Sequence, residues 1–260
     1  MKPVVVEKLG STAIVTIAHT PVNTLNEQVL LEIEQTVGQL ALDEHVRAIV
    51  LTGAGEQYFC AGIDMTMFIS GDKAHAAEVV DAFRRAQGAI KSFAGVTIAA
   101  INGYALGGGL ELALSCDYMV AERGAVLGMP EASAGLVPFG GGSKSLAQKV
   151  GLAWAKRMML GGETLDAGKA YDIGLIEEVV EPGFSKIVAV SLAGKVARQG
   201  EQAVILTRKL IDDSVSHDMD AQLAAEKSAF ISLVGSAEQL EGVHAFLEKR
   251  SPSWVVEDED

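Results

Sequence analysis

Three consecutive glycines followed by a glutamate are the residues of this chain best suited to chemistry. Gly107, Gly108 and Gly109 end a short apolar run, and Glu111 lies three residues past Gly108. Glycine has no side chain to shield its backbone N–H, and the first N–H groups of a helix have no partner within it. The helix dipole is also positive at that end. We therefore predict that this turn stabilises a negative oxygen beside a carboxylate.

The glycine runs of this chain allow other interpretations. A glycine turn before a helix can serve tight packing alone, and glutamate is common in first helical turns. A GxGxxG dinucleotide loop does not fit, because Leu112 stands where the third glycine would be. The run GGGSKS at Gly140–Ser145 resembles a phosphate loop, but Ser143 separates its glycines from Lys144. Nucleotide binding is therefore not favoured.

A second carboxylate and a second bend complement the glycine turn. The segment FCAGID at Phe59–Asp64 offers a small-residue bend with a free backbone N–H. Glu131 follows Pro130, which restricts the backbone before it, so Glu131 is expected in the first turn of the next element. Taken alone, a glutamate in that position more often starts a helix than acts as a catalyst.

Strands and helices alternate in the first half of the chain. Runs rich in Val, Ile and Thr predict strands, and apolar residues at helical spacing predict helices. The predicted strands are Ala13–Ala18, Arg47–Thr52, Val96–Ile101 and Asp117–Ala121, and the predicted helices are Asn26–Leu42 and Ala74–Phe93. This alternation predicts an α/β core of stacked turns.

The second half is predicted to be nearly all helical, with glycine and proline marking the breaks. The candidate helices are Lys144–Val150, Ala153–Leu160, Asp166–Ile173, Lys186–Arg198, Glu201–Asp212, Asp218–Val234 and Ala237–Arg250. We predict a core over residues 1–195 and a C-terminal helical region over residues 196–260. Apolar positions in that region, such as Leu223, Phe230 and Val234, predict packing against another subunit.

Composition restricts the partners and the compartment. A net charge of −13 over 260 residues argues against nucleic acid or an anionic membrane surface as the main partner. No apolar run is long enough to span a bilayer, and the N-terminal run is too short for a signal peptide. Cys60 and Cys116 are predicted to be buried thiols in a reducing compartment, which favours the cytoplasm. The five histidines show no ligand spacing, so no metal site is expected.

Six motifs, in this order and spacing, resemble the enoyl-CoA hydratase/isomerase (crotonase) superfamily over essentially the whole chain. They lie at Pro21–Asn26, Phe59–Asp64, Ile101–Ala121, Gly128–Gly142, Leu160–Val180 and Phe246–Trp254. The resemblance implies a crotonase-like spiral of ββα units. It also implies a C-terminal helical region that forms trimers, often paired into hexamers.

The resemblance implies a role for each site residue. The backbone N–H groups of Ile63 and Gly108 would form an oxyanion hole for the thioester carbonyl of an acyl-CoA. Glu111 would position and activate water, and Glu131 would donate a proton to the α-carbon. The reaction implied is hydration of a 2-enoyl-CoA to a 3-hydroxyacyl-CoA. Residues beside these groups that are expected to contact substrate are Ala61, Asp64 and Gly107.

The same resemblance implies how an acidic protein holds the anionic coenzyme A. Lys249 and Arg250 would supply local positive charge, and Phe246 and Trp254 would lie beside the adenine, reaching the substrate of a neighbouring subunit. An equally open interpretation is a solvated helix end that favours cations. No metal or redox cofactor is expected, because coenzyme A belongs to the substrate.

Other functions remain open at this stage. A Δ3-Δ2-enoyl-CoA isomerase generally manages with one glutamate at the Glu131 position, so Glu111 favours hydration. A 3-hydroxyacyl-CoA hydrolase also resembles the pattern. A non-catalytic RNA-binding scaffold is disfavoured by the negative charge and both glutamates. A ClpP-like serine protease lacks a histidine partner for Ser115 or Ser143. The acyl-chain length is not predicted, although Met65, Met67 and Phe68 hint at a short chain.

Overall fold

The computed structural model describes residues 2–255, which leaves Met1 and residues 256–260 outside the description. The strands are β1 (Val4–Leu9), β2 (Thr12–Ile17), β3 (Ala48–Gly53), β4 (Tyr58–Cys60), β5 (Val96–Ile101), β6 (Tyr104–Leu106), β7 (Tyr118–Glu122), β8 (Val126–Gly128), β9 (Thr164–Asp166) and β10 (Glu178–Val180). The helices are α1 (Glu27–Leu40), α2 (Lys73–Ser92), α3 (Gly108–Ala113), α4 (Gly142–Leu160), α5 (Ala167–Asp172), α6 (Ser185–Ala197), α7 (Glu201–Ser214), α8 (Met219–Leu233) and α9 (Ala237–Glu248). Short 3₁₀ turns lie at Met65–Phe68 and Glu131–Ala134.

Successive turns of the chain build two sheets in parallel. The larger sheet has the order β1-β2-β3-β5-β7-β10, and the smaller has the order β4-β6-β8-β9. The pairs β3–β4, β5–β6 and β7–β8 each give their first strand to the larger sheet and their second to the smaller, followed by a helical segment, whereas β1 and β2 both belong to the larger sheet. The pairs β1–β2 and β8–β9 are antiparallel, and the remaining pairs are parallel. The predicted spiral of ββα units is confirmed.

The centre of the larger sheet forms the core. All six residues of β3 and all six of β5 are buried, as expected for parallel strands covered on both faces. Helix α1 contributes an apolar face spaced as its sequence predicted, and Asn26 caps its first turn by accepting the Val29 N–H at 2.9 Å. This core holds the smaller sheet in place.

Three loops of the smaller sheet meet at one edge. Strands β4, β6 and β8 are neighbouring parallel strands, so their carboxyl ends lie side by side. The loops that leave these ends carry residues 61–64, residues 107–109 and residues 129–131. The fold therefore brings together the three segments that the sequence analysis singled out for chemistry.

Several elements differ from the sequence predictions. The three-residue strands of the smaller sheet were not predicted, because a strand this short carries no readable alternation. The six-residue strand β1 was also not predicted. The second half also contains β9 and β10, so it is less uniformly helical than predicted. The two helices predicted within residues 144–160 are confirmed, because the range given for α4 consists of two helical segments that meet at a kink at Gly151, where φ is 76° and ψ is 163°.

The described chain separates into two compact units, Met1–Ala193 and Gly194–Asp260, compared with the boundary predicted after residue 195. Within the second unit, α7 and α8 contact each other, and Ala245 is its one buried hydrophobic residue among those described. Large apolar side chains are left exposed there, including Phe230 (69%) and Phe246 (81%). None of the helices within residues 2–255 is both long and apolar enough to cross a membrane.

Candidate active site

The glycine turn after β6 exposes the first N–H of α3. Gly107 adopts φ 50° and ψ −124°, which favours glycine, and its N–H donates to the Gly128 carbonyl at 2.9 Å. A Cβ on Gly109 would lie 2.3 Å from the Cys60 carbonyl oxygen, so α3 approaches β4 as only glycine allows. The Gly108 N–H begins the helix and donates to no group within residues 2–255.

A second free N–H belongs to Ile63, in the loop after β4. Leu25 pairs with this loop from both sides: its N–H donates to the Gly62 carbonyl at 2.8 Å, and its carbonyl accepts the Asp64 N–H at 2.9 Å. In this parallel arrangement the N–H of Ile63 points away from Leu25. It donates to no carbonyl or side chain of the described chain.

The two free N–H groups lie on backbone segments in close contact. A Cβ on Gly62, which has φ 99°, would lie 2.8 Å from the Leu106 carbonyl oxygen and 3.4 Å from the Gly108 nitrogen. A Cβ on Gly108 would lie 3.2 Å from Cγ1 of Ile63. Two unpaired backbone donors so close together are suited to a single oxygen that gains negative charge.

Glu111 lies in the first turn of α3 and is buried, with 1% of its surface exposed. Its Oε1 accepts two backbone N–H groups, from Gly140 and from Gly142, each at 2.8 Å. Its Oε2 is buried and has no hydrogen-bond partner among the described residues. The carboxyl is thus fixed by one oxygen and presents the other.

The run Gly140–Gly142 therefore has a role that the sequence analysis did not identify. A Cβ on Gly142 would lie 2.7 Å from Oε1 of Glu111, so only glycine allows this approach. The run binds a carboxylate of the same chain through backbone N–H groups. An anion-binding loop binds its ligand in the same way, which explains why the two sequences look alike. Its position opposite Glu111, set by the tertiary fold, was the information missing from the sequence.

Glu131 is the first residue of its 3₁₀ turn, as predicted from Pro130. Both of its carboxyl oxygens are buried, and neither accepts a hydrogen bond from any residue in the range 2–255. A Cβ on Gly107 would lie 3.0 Å from Oε1 of Glu131, which places this carboxyl against the glycine turn. Glu111 and Glu131 are thus both carried to the turn that holds the free Gly108 N–H.

The two buried carboxyls have different hydrogen-bonding surroundings. Burial raises the pKa of Glu111 above its ordinary value, and the N–H groups of Gly142 and Gly140 oppose that rise. Burial also raises the pKa of Glu131; its own backbone N–H opposes that rise, and the charge of Glu111 adds to it. The charge of Glu111 raises the pKa of Glu131, so the two carboxyls titrate as a coupled pair.

The other predicted site residues have structural partners of their own. The Ala61 N–H donates to the Val22 carbonyl at 3.1 Å, and Asp64 caps the next turn by accepting the Thr66 N–H at 3.0 Å. Lys249 ends α9 with φ 55° and is exposed. The indole N–H of Trp254 donates to the Arg198 carbonyl at 3.2 Å. Substrate contact by Ala61, Asp64, Lys249 and Trp254 stays a prediction.

Arg250 is engaged by carboxylates of its own unit. Its guanidinium pairs with Glu241 at 2.7 Å and with Glu248 at 2.7 Å. Its hydrogen bonds are the main cause of a lowered pKa of Glu241, at about 2. Of the two basic residues predicted to contact coenzyme A, Arg250 is therefore the one whose charge is already paired with carboxylates of its own unit.

Other potentially reactive groups lie elsewhere. Within residues 2–255, the ligand atoms of Glu27, His75 and Glu78 lie within 4.8 Å of one another and form the one candidate metal-binding group. Cys60 is buried, as predicted, and this burial raises the pKa of its thiol to about 12. Cys116 is only partly buried, so the prediction that it is buried was wrong. The Ser115 hydroxyl donates to the Glu111 carbonyl at 2.8 Å, which is a structural contact.

Comparison with known proteins gives consistent matches over the full fold. The sequence model described as enoyl-CoA hydratase/isomerase matches residues 7–257. The short-chain-enoyl-CoA hydratase of Clostridium acetobutylicum is 35% identical over 260 residues, which cover 95% of each protein. The structure of DspI from Pseudomonas aeruginosa has a TM-score of 0.95 and 45% identity, covering 98% of this chain and 97% of that one. The crystal structure of an enoyl-CoA hydratase from Bacillus anthracis has a TM-score of 0.92 and 31% identity, covering 96% and 98%.

The unpaired carboxyl of Glu131 predicts a pH-dependent cost to stability. Its raised pKa means that the native state binds more protons than the unfolded state between the two pKa values, so stability falls as pH rises through that window. Glu131→Gln removes the charge and should raise Tm at pH 8, by about 3 °C for each kcal/mol recovered. The difference should vanish below about pH 4.

Differential scanning calorimetry of wild type and Glu131→Gln across this pH range checks the prediction. Glu44→Gln, which changes an exposed carboxylate, serves as the matched control and should leave Tm unchanged at each pH. A Glu131→Gln protein that melts below wild type at pH 8 would contradict the assignment of Glu131 as an uncompensated buried acid.

Proposed function

Since the chain belongs to the enoyl-CoA hydratase/isomerase family, we propose that it adds water across the 2,3 double bond of a 2-enoyl-CoA to give a 3-hydroxyacyl-CoA. The observation that carries this proposal is the pair of buried carboxyls, Glu111 and Glu131, beside two unpaired backbone N–H groups. Hydration needs a base for water, an acid for carbon and a donor for the carbonyl oxygen, and these groups supply all three.

The N–H groups of Ile63 and Gly108 bind the thioester carbonyl oxygen in this mechanism. Attack of water on the β-carbon moves electrons toward that oxygen, so its bonds to the two donors strengthen as the enolate forms. Preorganised donors of this kind contribute about 10²–10³ in rate each. Because the donors are backbone groups, the side chain of Ile63 affects the loop and its surroundings rather than the bond itself.

The two carboxyls act at different carbons of the double bond. The water oxygen bonds to the β-carbon, and Oε2 of Glu111, which has no partner within the described residues, takes a proton from that water. Glu131, which holds its proton, gives it to the α-carbon as the enolate collapses. Glu111 is then protonated and Glu131 ionised, and proton exchange with solvent resets the pair.

The proposal extends to substrate handling and environment. Lys249 and Trp254 contact the coenzyme A of a substrate bound to a neighbouring subunit. No metal or redox cofactor takes part, because the carboxyls and N–H groups supply the acid, base and electrophile. Ala61, Asp64 and Gly107 line the thioester end. Both cysteines are free thiols, which supports a cytoplasmic location.

The first test of this function is hydration of crotonyl-CoA by enzyme treated with a chelator and then freed of it. We expect the absorbance of the conjugated thioester to fall, with 3-hydroxybutanoyl-CoA as the product. A series of 2-enoyl-CoA esters of increasing length would define the preferred chain. The proposal fails if none of these esters is consumed.

The second test separates the two carboxyls. Glu111→Gln keeps the size and an acceptor for the two N–H groups but removes the base, so hydration should fall about 10³-fold or more. Exchange of the α-proton with solvent deuterium should fall less, because Glu131 and both donors remain. Glu131→Gln should impair both reactions, and the double variant should be little worse than either single variant.

Hydration and solvent-deuterium exchange would be measured side by side on the three variants. Glu44→Gln serves again as the control, with both rates expected at wild-type values. Full hydration by Glu111→Gln would contradict the division of labour and move the protein toward the isomerases, which need one glutamate.

We also propose that the second unit assembles the protein into trimers or hexamers. Its support is the exposed apolar surface of that unit, which includes Phe230 and Phe246. Light scattering at micromolar concentration should give three or six times the chain mass of 27.3 kDa. Phe230→Glu should lower that mass, whereas Ser216→Glu, at an exposed polar position, should not; a monomeric wild type would overturn the proposal.

A further inference from the structure

We propose that Gln87 is a positioning residue, which holds the Gly140–Gly142 loop in the orientation that binds the Glu111 carboxylate. This inference rests on the proposed function of the site. Gln87 touches neither the predicted donors nor the free carboxyl oxygens. Besides its bond to the loop, its Nε2 lies 3.5 Å from the backbone carbonyl oxygen of Glu111, so the short bond to the loop is its main contact with the site. Its side chain reaches the loop from α2, a helix that none of the six sequence motifs covers.

The contact itself is short and buried. Nε2 of Gln87 donates to the Gly140 carbonyl at 2.6 Å, and the residue is 8% exposed. The other buried residues of α2 are apolar: Val79, Phe83, Ala86 and Ile90. A buried amide among apolar neighbours is costly unless it is hydrogen-bonded, so this bond is the reason the side chain is tolerated there.

The position of that carbonyl in the loop gives Gln87 its leverage. The N–H groups that hold Oε1 of Glu111 belong to Gly140 and Gly142, so they lie on two peptide units separated by one other. The Gly140 carbonyl belongs to this middle unit. Fixing the middle unit restrains the orientation of both flanking N–H groups. The unit that carries the Gly142 N–H is also held by α4, because its Gly141 carbonyl accepts the Lys144 and Ser145 N–H groups at 3.0 Å each. The restraint from Gln87 therefore acts mainly on the unit that carries the Gly140 N–H, since glycine residues have wide conformational freedom.

Neighbouring groups do not replace this restraint. The Phe83 ring lies against the loop, since a Cβ on Gly140 would be 2.2 Å from its Cε1, but an aromatic edge does not orient a carbonyl. The charged groups that act on the pair of carboxyls are Lys91 on α2, which lowers the pKa of Glu111, and Glu111 itself, which raises the pKa of Glu131.

The test is Gln87→Met, which keeps the shape of the side chain and removes its donor. Loss of the two N–H bonds would destabilise the Glu111 anion, so its pKa would rise and the base would be protonated over a wider range. The acid limb of kcat/KM for crotonyl-CoA should therefore move to higher pH, by about one unit. The loss of activity should be larger at acid pH than at the optimum.

A second measurement does not depend on activity. Hydrogen exchange of the full protein, followed by mass spectrometry, should show residues 139–142 exchanging about tenfold faster in Gln87→Met than in wild type. Ser115→Ala is the matched control, because Ser115 is also buried and also donates to a carbonyl, that of Glu111, but does not touch the loop. It should leave the acid limb and the exchange of residues 139–142 unchanged.

The outcomes are distinct. A lower kcat/KM with an unmoved acid limb would overturn the positioning role, because a purely structural defect lowers the rate without changing that limb. Equal exchange of residues 139–142 in wild type and Gln87→Met would also overturn it. If Gln87→Met does not fold, Gln87→Asn, whose amide is too short to reach the loop, should show the same changes. An inactive wild type would end the proposed function, whereas the exchange experiment would still decide the tie between Gln87 and the loop.

Discussion

The close approach of three glycine-containing turns is the constraint on which the rest of this site depends. A Cβ on Gly62, Gly109, Gly140 or Gly142 would lie within 2.8 Å of an atom of another segment, which is closer than a Cβ allows. This approach turns backbone N–H groups inward, where two of them stay unpaired and two hold Glu111. The chemistry of the site is therefore carried by backbone geometry as much as by its carboxyls.

Two chemically identical side chains have different surroundings in this arrangement. Glu111 has two N–H donors on one oxygen, whereas neither oxygen of Glu131 accepts a hydrogen bond within the described chain. Hydrogen bonds to an anion offset part of the cost of burying it, which is why the proposed mechanism makes Glu111 the base and Glu131 the acid. A protein that buries an uncompensated acid gives up stability at neutral pH, as expected where function requires a strained environment.

Sequence reasoning reached the parts of this site that are local. The glycine turn, the position of Glu131 after Pro130 and the capped helix α1 follow from neighbouring residues, and the resemblance supplied the proposed roles. The parts it missed depend on contacts between distant segments. Strands β4, β6 and β8 are too short to read, yet their adjacency aligns the loops. Gln87 and Gly140 are 53 residues apart in the sequence. The glycine run resembles a phosphate loop in its sequence, but in the fold its N–H groups bind the Glu111 carboxylate.

The central claim is that the N–H groups of Ile63 and Gly108 bind the thioester carbonyl. Isotope-edited infrared spectroscopy of butanoyl-CoA, labelled with ¹³C at the thioester carbonyl, tests it most directly, because this saturated ester cannot be hydrated. Two donors on the oxygen weaken the C=O bond, so the carbonyl band of the bound ester should lie at lower wavenumber than that of the free ester in water. A bound ester whose band coincides with that of the free ester would contradict the claim.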